Sequence, residues 1–253
     1  LEEFRKRLLR TGAAVLLFAL LAFFFKEWIF EGVLFWPKEP DFPAFRFLCS
    51  LSARMGMGDR LCITPPDFPL VNLEMAGQFS AHILVSIISG IVIAFPYFLQ
   101  QMWAFLNPGL RKKERRSARR VFWVGTFLFI LGILFGYFVM SPLSVRFLGG
   151  YQVSEMVSNK IRLSSYVSTV SLVTLSAGIL FQLPVVVHFL AITGIMTPSL
   201  LRSYRKHALI VVLLLSAIIT PPDITSQLLV AFPLLILYEI SIRVAARVAP
   251  PAP

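Results

Sequence analysis

The chain has 253 residues, 57% of them hydrophobic and 15% charged, with a formal net charge of +11. Its mean hydropathy of +0.77 and its long apolar runs leave too little polar surface for a soluble bundle or a sheet sandwich, and the runs lack the two-residue alternation of a membrane barrel. The positive charge is therefore read first as a marker of membrane topology and not as a sign of nucleic-acid binding.

Six apolar runs follow one another along the chain. The first spans Leu8 to Phe25; no small-residue cleavage site follows it, so it reads as an anchor and not as a signal peptide. The second runs from Phe79 to Met102, the third from Val121 to Met140 and the fourth from Val167 to Ile192. The fifth, Ala208 to Ile219, reaches only roughly 18 Å at about 1.5 Å per residue, short of a bilayer core of about 30 Å. The sixth, Ile224 to Ile242, follows directly after Pro221, Pro222 and Asp223. A tight turn there makes the last two runs a pair of short spanning helices in a locally thinned membrane. Pro96, Pro184 and Pro233 lie inside the second, fourth and sixth runs, where each removes a backbone donor and is expected to kink its helix. The expected fold is all-α: one integral membrane domain over residues 1–243 with six transmembrane helices, the last two short, in a concave or curved arrangement, followed by a tail at 244–253.

The charges sort by side. Residues 1–10, the 103–120 and 193–206 connections and the segment after 242 hold 16 of the 24 Lys and Arg residues, while nine of the 13 acids lie on the other side. Lys and Arg accumulate in cytoplasmic loops, which predicts that both termini are inside, in agreement with an even number of spans. The 26–78 segment is then outside, where Cys49 and Cys62 could pair in an oxidising compartment or stay separate.

Enzyme signatures are missing: there is no His-Glu-x-x-His, no Gly-x-Ser-x-Gly, no P-loop and no Rossmann glycine pattern. His82, His188 and His207 are scattered over three runs, so neither a metal nor another cofactor is expected, nor an enzyme. The Ser and Thr residues crowding the fourth run suit close helix packing. More telling are isolated polar groups in or beside the apolar runs: Gln182 near the middle of the fourth, Glu239 late in the sixth, and Asp223 and Gln227 flanking its start. Such groups are costly in a bilayer and either face a partner or a cavity or are satisfied by helices of the same chain. On the basic side, Glu3 and Glu114 each sit among cations. They either pair locally, for example with Arg5, Lys113 or Arg116, or await cationic groups of a partner. Arginine fits such a carboxylate best, since its guanidinium can hold it with two parallel bonds.

Several motifs together resemble the TatC family, the core receptor of the twin-arginine protein translocase. They are Leu1-Glu2-Glu3-Phe4-Arg5-Lys6-Arg7-Leu8, Ala94-Phe95-Pro96, Trp103 through Leu110 with Glu114-Arg115-Arg116, and Phe135-Gly136-Tyr137-Phe138 ahead of Pro142. Phe181-Gln182-Leu183-Pro184, Thr220-Pro221-Pro222-Asp223 with Ser226-Gln227, and Leu237-Tyr238-Glu239 complete the order. The resemblance implies a multi-pass inner-membrane protein with cytoplasmic termini that binds twin-arginine signal peptides of folded precursors. It also implies self-association and assembly with the single-span partners TatA and TatB, with transport driven by the proton-motive force and no nucleic acid involved. Carried over residue by residue, signal-peptide binding falls to Glu3, Arg5, Phe105 and Glu114; partner-interface or transport roles fall to Pro96, Tyr137, Gln182, Asp223, Gln227 and Glu239. Many family members have a glutamate where this chain has Gln182, so a proton-linked role at that position is doubtful here. The competing readings, a small-solute transporter or an intramembrane hydrolase, would need an internal repeat or a nucleophile–base pair, and neither is visible in the sequence.

Overall fold

The computed structural model describes residues 2–39, 41–54, 68–106, 112–154, 159–220 and 224–248, with backbone alone at 47, 48, 51–54, 105, 106, 112–120 and 225. Helix α1 (Glu2–Phe24) opens with Glu2 and Glu3 in its first turn, where carboxylates meet the positive end of the helix dipole. It continues through α2 (Lys26–Ile29), a π segment (Phe30–Leu34) and a 3-10 turn (Trp36–Lys38) to α3 (Pro43–Arg54). Helix α4 is Gly77–Leu106; α5 (Lys112–Phe135) runs through a second π segment (Gly136–Met140) into α6 (Ser141–Gly150). Then come α7 (Leu163–Leu180), α8 (Leu183–Ile192), α9 (Pro198–Ser203), α10 (Arg205–Ile219) and α11 (Ile224–Val248). The strands among the described residues are the two-residue pair β1 (Leu70–Val71) and β2 (Ile161–Arg162), joined in parallel.

Among the described residues five helices are long and apolar enough to cross a membrane. The fifth crossing, α10, has 15 residues and reaches about 22 Å, short as the sequence implies. The sixth, α11, has 25 residues and is long enough to span, so the expectation that both of the last two helices are short holds only for α10. Helix α1 shows how the bundle meets its surroundings: Leu16, Leu17, Leu20 and Phe24 are exposed, while Thr11, Ala19 and Ala22 are buried. Its apolar exterior suits lipid, and its small residues form the face that packs on α4. There the helices are so close that a Cβ on Gly90 would stand 2.7 Å from the Val15 carbonyl oxygen and the Ala19 nitrogen.

Helices α5 and α7 repeat this solution. A Cβ on Gly132 would lie 2.7 Å from the Ala177 carbonyl oxygen, and one on Gly136 would lie 2.8 Å from the Thr174 Cα. Gly132 and Gly136 are four residues apart, so they lie on one helix face and let the two backbones touch. One hydroxyl of the fourth run serves the same seam: Thr174 lies 3.2 Å from Ser141 of α6, which donates to the Gly136 carbonyl at 2.9 Å. A second core joins Met140, Ala177 and Phe181 to Val212 of α10 and Val230 and Leu234 of α11.

The prolines act differently. Pro96 and Pro233 stay inside the continuous helices α4 and α11. The fourth run, expected as one kinked span, is one candidate crossing over Leu163–Ile192 whose helix is interrupted at Phe181 and Gln182, between α7 and α8. Pro184 has no N–H for the Leu180 carbonyl and its ring crowds that oxygen, so the first helix stops there. The 26–78 segment also holds more structure than a loop. The Val33 and Leu34 carbonyls at the end of the first π segment accept the hydroxyls of Tyr137 and Tyr166, tying this segment to the helix bundle. Phe42, at the start of α3, is fully buried and stacks on Phe138. An apolar groove of about 440 Å³ is lined by Trp28, Val92, Leu134, Tyr137 and Thr174. Helix α11 extends past the apolar run to Val248, and Ala245 is buried with Ala191 and Leu201.

Candidate functional site

The first turns of α1 and the last turns of α4 meet at the basic end of the bundle. Arg7 reaches across, donating from Nη1 to the Gln101 side-chain oxygen of α4 at 3.4 Å. Its Nη2 donates to Glu3 Oε1 at 2.8 Å, one helical turn earlier. The pair is lopsided: the Arg7 side chain is 20% exposed and that of Glu3 64%. Glu3 therefore presents its carboxylate to solvent from a helix held against α4, and Arg5 is exposed on the same turn. Phe105 follows Gln101 by four residues on α4, and Glu114 lies in the first turn of α5; the side chains of both fall outside the described residues. Local pairing of Glu3 is thus with Arg7, a residue the sequence reasoning did not single out.

A second group lies deeper, where the α7–α8 break meets α4 and α5. Gln182 is buried and donates from Nε2 to the Gly125 carbonyl at 3.1 Å. Gly125 allows this approach, since its Cβ position is already lined by Leu99, Val185 and Gln182. Among the described residues Gln182 Oε1, Trp103 Nε1 and His188 Nε2 are buried without a hydrogen-bond partner. Trp103 and His188 face each other edge-on with ring centroids 6.5 Å apart.

The other predicted residues lie apart from these. Pro96 is half-buried in α4, beside Phe95, whose ring stacks on Phe129. Tyr137 sits at the opposite end of the bundle, bonded to the Val33 carbonyl. Gln227 donates to the Leu213 carbonyl at 3.1 Å, linking α11 to α10. Glu239 pairs with Arg205 at 2.8 Å, while its neighbour Tyr238 donates to the Leu201 carbonyl. Asp223 lies outside the described residues. Cys49 is disulfide-bonded; Cys62 lies outside the described residues. Among the described residues no cluster of three or more His, Cys, Asp or Glu side chains could hold a metal ion.

Fold and site together define a polytopic all-α membrane protein with a cationic end, an exposed carboxylate set into that end, and closely packed glycine seams below it. The sequence matches the family described as "Sec-independent protein translocase protein (TatC)" over residues 1–233. It is 33% identical over 250 residues to the Sec-independent protein translocase protein TatC of Blattabacterium sp. subsp. Periplaneta americana, covering 98% of this chain and 94% of that one. To the protein of the same name from Aquifex aeolicus it is 32% identical over 243 residues, covering 96% and 91%. The fold is similar to a crystal structure of the "Twin Arginine Translocase Receptor- TatC in DDM", with a TM-score of 0.74 and 31% identity over 96% of this chain and 97% of that one. The chain belongs to the TatC family of protein translocase components, and its six membrane helices follow the arrangement solved there.

Proposed function

We propose that this chain is the receptor core of a twin-arginine translocase. It binds the paired arginines of signal peptides on folded precursors at the cytoplasmic face, and it assembles with TatA- and TatB-type single-span proteins for export driven by the proton-motive force. Both termini lie in the cytoplasm, and the membrane is the inner membrane of the cell. The observation that supports this reading best is the setting of Glu3: an exposed carboxylate on a helix locked to the last turns of α4, the helix on which Phe105 lies.

An acidic spot in a cationic face attracts a guanidinium while the surrounding Lys and Arg residues repel cations docked elsewhere. Each charge-assisted hydrogen bond contributes about 1.5–3 kcal/mol, so two arginines add several kcal/mol before that repulsion is subtracted. Phe105 offers an aromatic face on which a guanidinium can stack. Arg5 helps confine the acidic spot to Glu3 and Glu114. Gln182, Gln227, Asp223 and Glu239, with Pro96 and Tyr137, serve by shaping the helices that partner subunits meet. The protein copies are expected to associate in a larger complex. Site-specific crosslinking to a twin-arginine precursor tests the capture step. Glu3→Gln combined with Glu114→Gln is expected to abolish the crosslink, and undiminished crosslinking in a folded double variant contradicts it.

A further inference from the structure

Glu3 is not an empty receptor for a guanidinium, because it already holds one. Arg7 Nη2 donates to Glu3 Oε1 at 2.8 Å, and the same guanidinium is steadied from below by Gln101. With 20% exposure against 64% for Glu3, Arg7 approaches from the helix side and leaves the outer flank of the carboxylate open. Its Nε is buried with no partner among the described residues. We propose that Arg7 is a resident occupant of Glu3, and that a signal arginine must displace it to grip the carboxylate with both of its parallel bonds.

The inference rests on the reading of Glu3 given above. A guanidinium fork needs both carboxylate oxygens, and Arg7 holds one of them. An ammonium needs only one and can settle on the outer oxygen without dislodging Arg7. The displaced Arg7 loses its ionic partner, so the exchange works against binding. The contact thereby restrains the affinity for paired arginines, the ligand for which the site is otherwise best suited. A restrained affinity also favours release of the signal, since changes in affinity act mostly on the dissociation rate.

The test measures binding of a fluorescent twin-arginine signal peptide, and of the same peptide with both arginines changed to lysine, to the full chain in lipid nanodiscs. Arg7→Gln is compared with Lys6→Gln, which removes the same charge one residue away. Arg7→Gln is expected to bind the paired-arginine peptide about two- to fivefold tighter than Lys6→Gln does, the range an exposed ion pair supports, with little change for the lysine peptide. Equal binding by the two variants, or weaker binding by Arg7→Gln, overturns the proposal; the weaker result identifies Arg7 as a support that orients Glu3. If Arg7→Gln does not fold, Arg7→Met, which keeps the apolar stem and removes the charge, takes its place and is expected to bind the paired-arginine peptide tighter than Lys6→Gln does; no tightening overturns the proposal. Glu3→Gln separates the two levels of argument. Unchanged binding there contradicts the receptor reading itself, whereas lost binding there with no gain in either Arg7 variant removes only the displacement step.

Discussion

Replacing Gly90 with alanine tests the packing that holds Glu3 in place. The new Cβ would lie 2.7 Å from the Val15 carbonyl oxygen and the Ala19 nitrogen and 2.9 Å from the Ala19 Cα, all backbone atoms of α1. An ordinary contact needs at least about 3.4 Å, so α1 and α4 must separate by roughly 0.7 Å at this level, since no side chain can swing away. Overpacking of this kind costs about 1–3 kcal/mol. Alanine favours the helix over glycine by about 0.5–1 kcal/mol, which offsets part of that loss. Gly12 supplies the control, because a Cβ there meets nothing within 4 Å. Thermal unfolding of the purified chain in detergent is expected to show Gly12→Ala at or above the parent and Gly90→Ala lower by several degrees, at about 2–4 °C per kcal/mol. Signal-peptide binding should fall with it, because Arg7 and Glu3 ride on the displaced helix. Equal melting temperatures for the two variants refute this account of the α1–α4 seam.

Three further substitutions probe contacts away from Glu3. Gln182→Leu loses one hydrogen bond to Gly125 but also removes a buried oxygen with no partner among the described residues, so stability is expected to stay within about 1 kcal/mol of the parent; a loss beyond about 3 kcal/mol on unfolding contradicts this. Export that fails in such a stable variant would assign Gln182 to transport. Tyr166→Phe strips a buried hydroxyl from the Leu34 carbonyl and should cost about 1–3 kcal/mol in the same assay, whereas an unchanged melting temperature would mean that this bond does not hold the first π segment. Glu239→Gln breaks a half-exposed ion pair with Arg205 and should cost less than about 1 kcal/mol, so a large drop in melting temperature would reveal a structural role that the pair's exposure does not support.

The six runs were legible because a bilayer demands long apolar segments, and that demand is written continuously along the chain. The acidic spot was legible at Glu3 because one carboxylate among cations is conspicuous in a basic segment. Its occupant was not. Arg7 differs from Arg5 and Arg10 only in facing α4, and facing is a property of packing that a single helix does not display. The glycine seams had a readable signal, Gly132 and Gly136 four residues apart on one face, which went unused beside the more prominent prolines. Proline itself was only a partial guide: Pro184 stands at a helix interruption, whereas Pro96 and Pro233 lie inside continuous helices. The outer helices α2 and α3 were hidden because they are short and gain their order from Phe42 and the two tyrosines.

The most direct test of the central claim is a double-mutant cycle between Glu3 and the first arginine of a signal peptide, read as binding to the full chain in nanodiscs. Glu3→Gln and an arginine-to-glutamine peptide are measured singly and together. A coupling of about 1.5–3 kcal/mol is predicted, the range of a charge-assisted contact, so that the second change costs little once the first is made. Additive losses, with a coupling near zero, would mean that Glu3 does not receive the arginine.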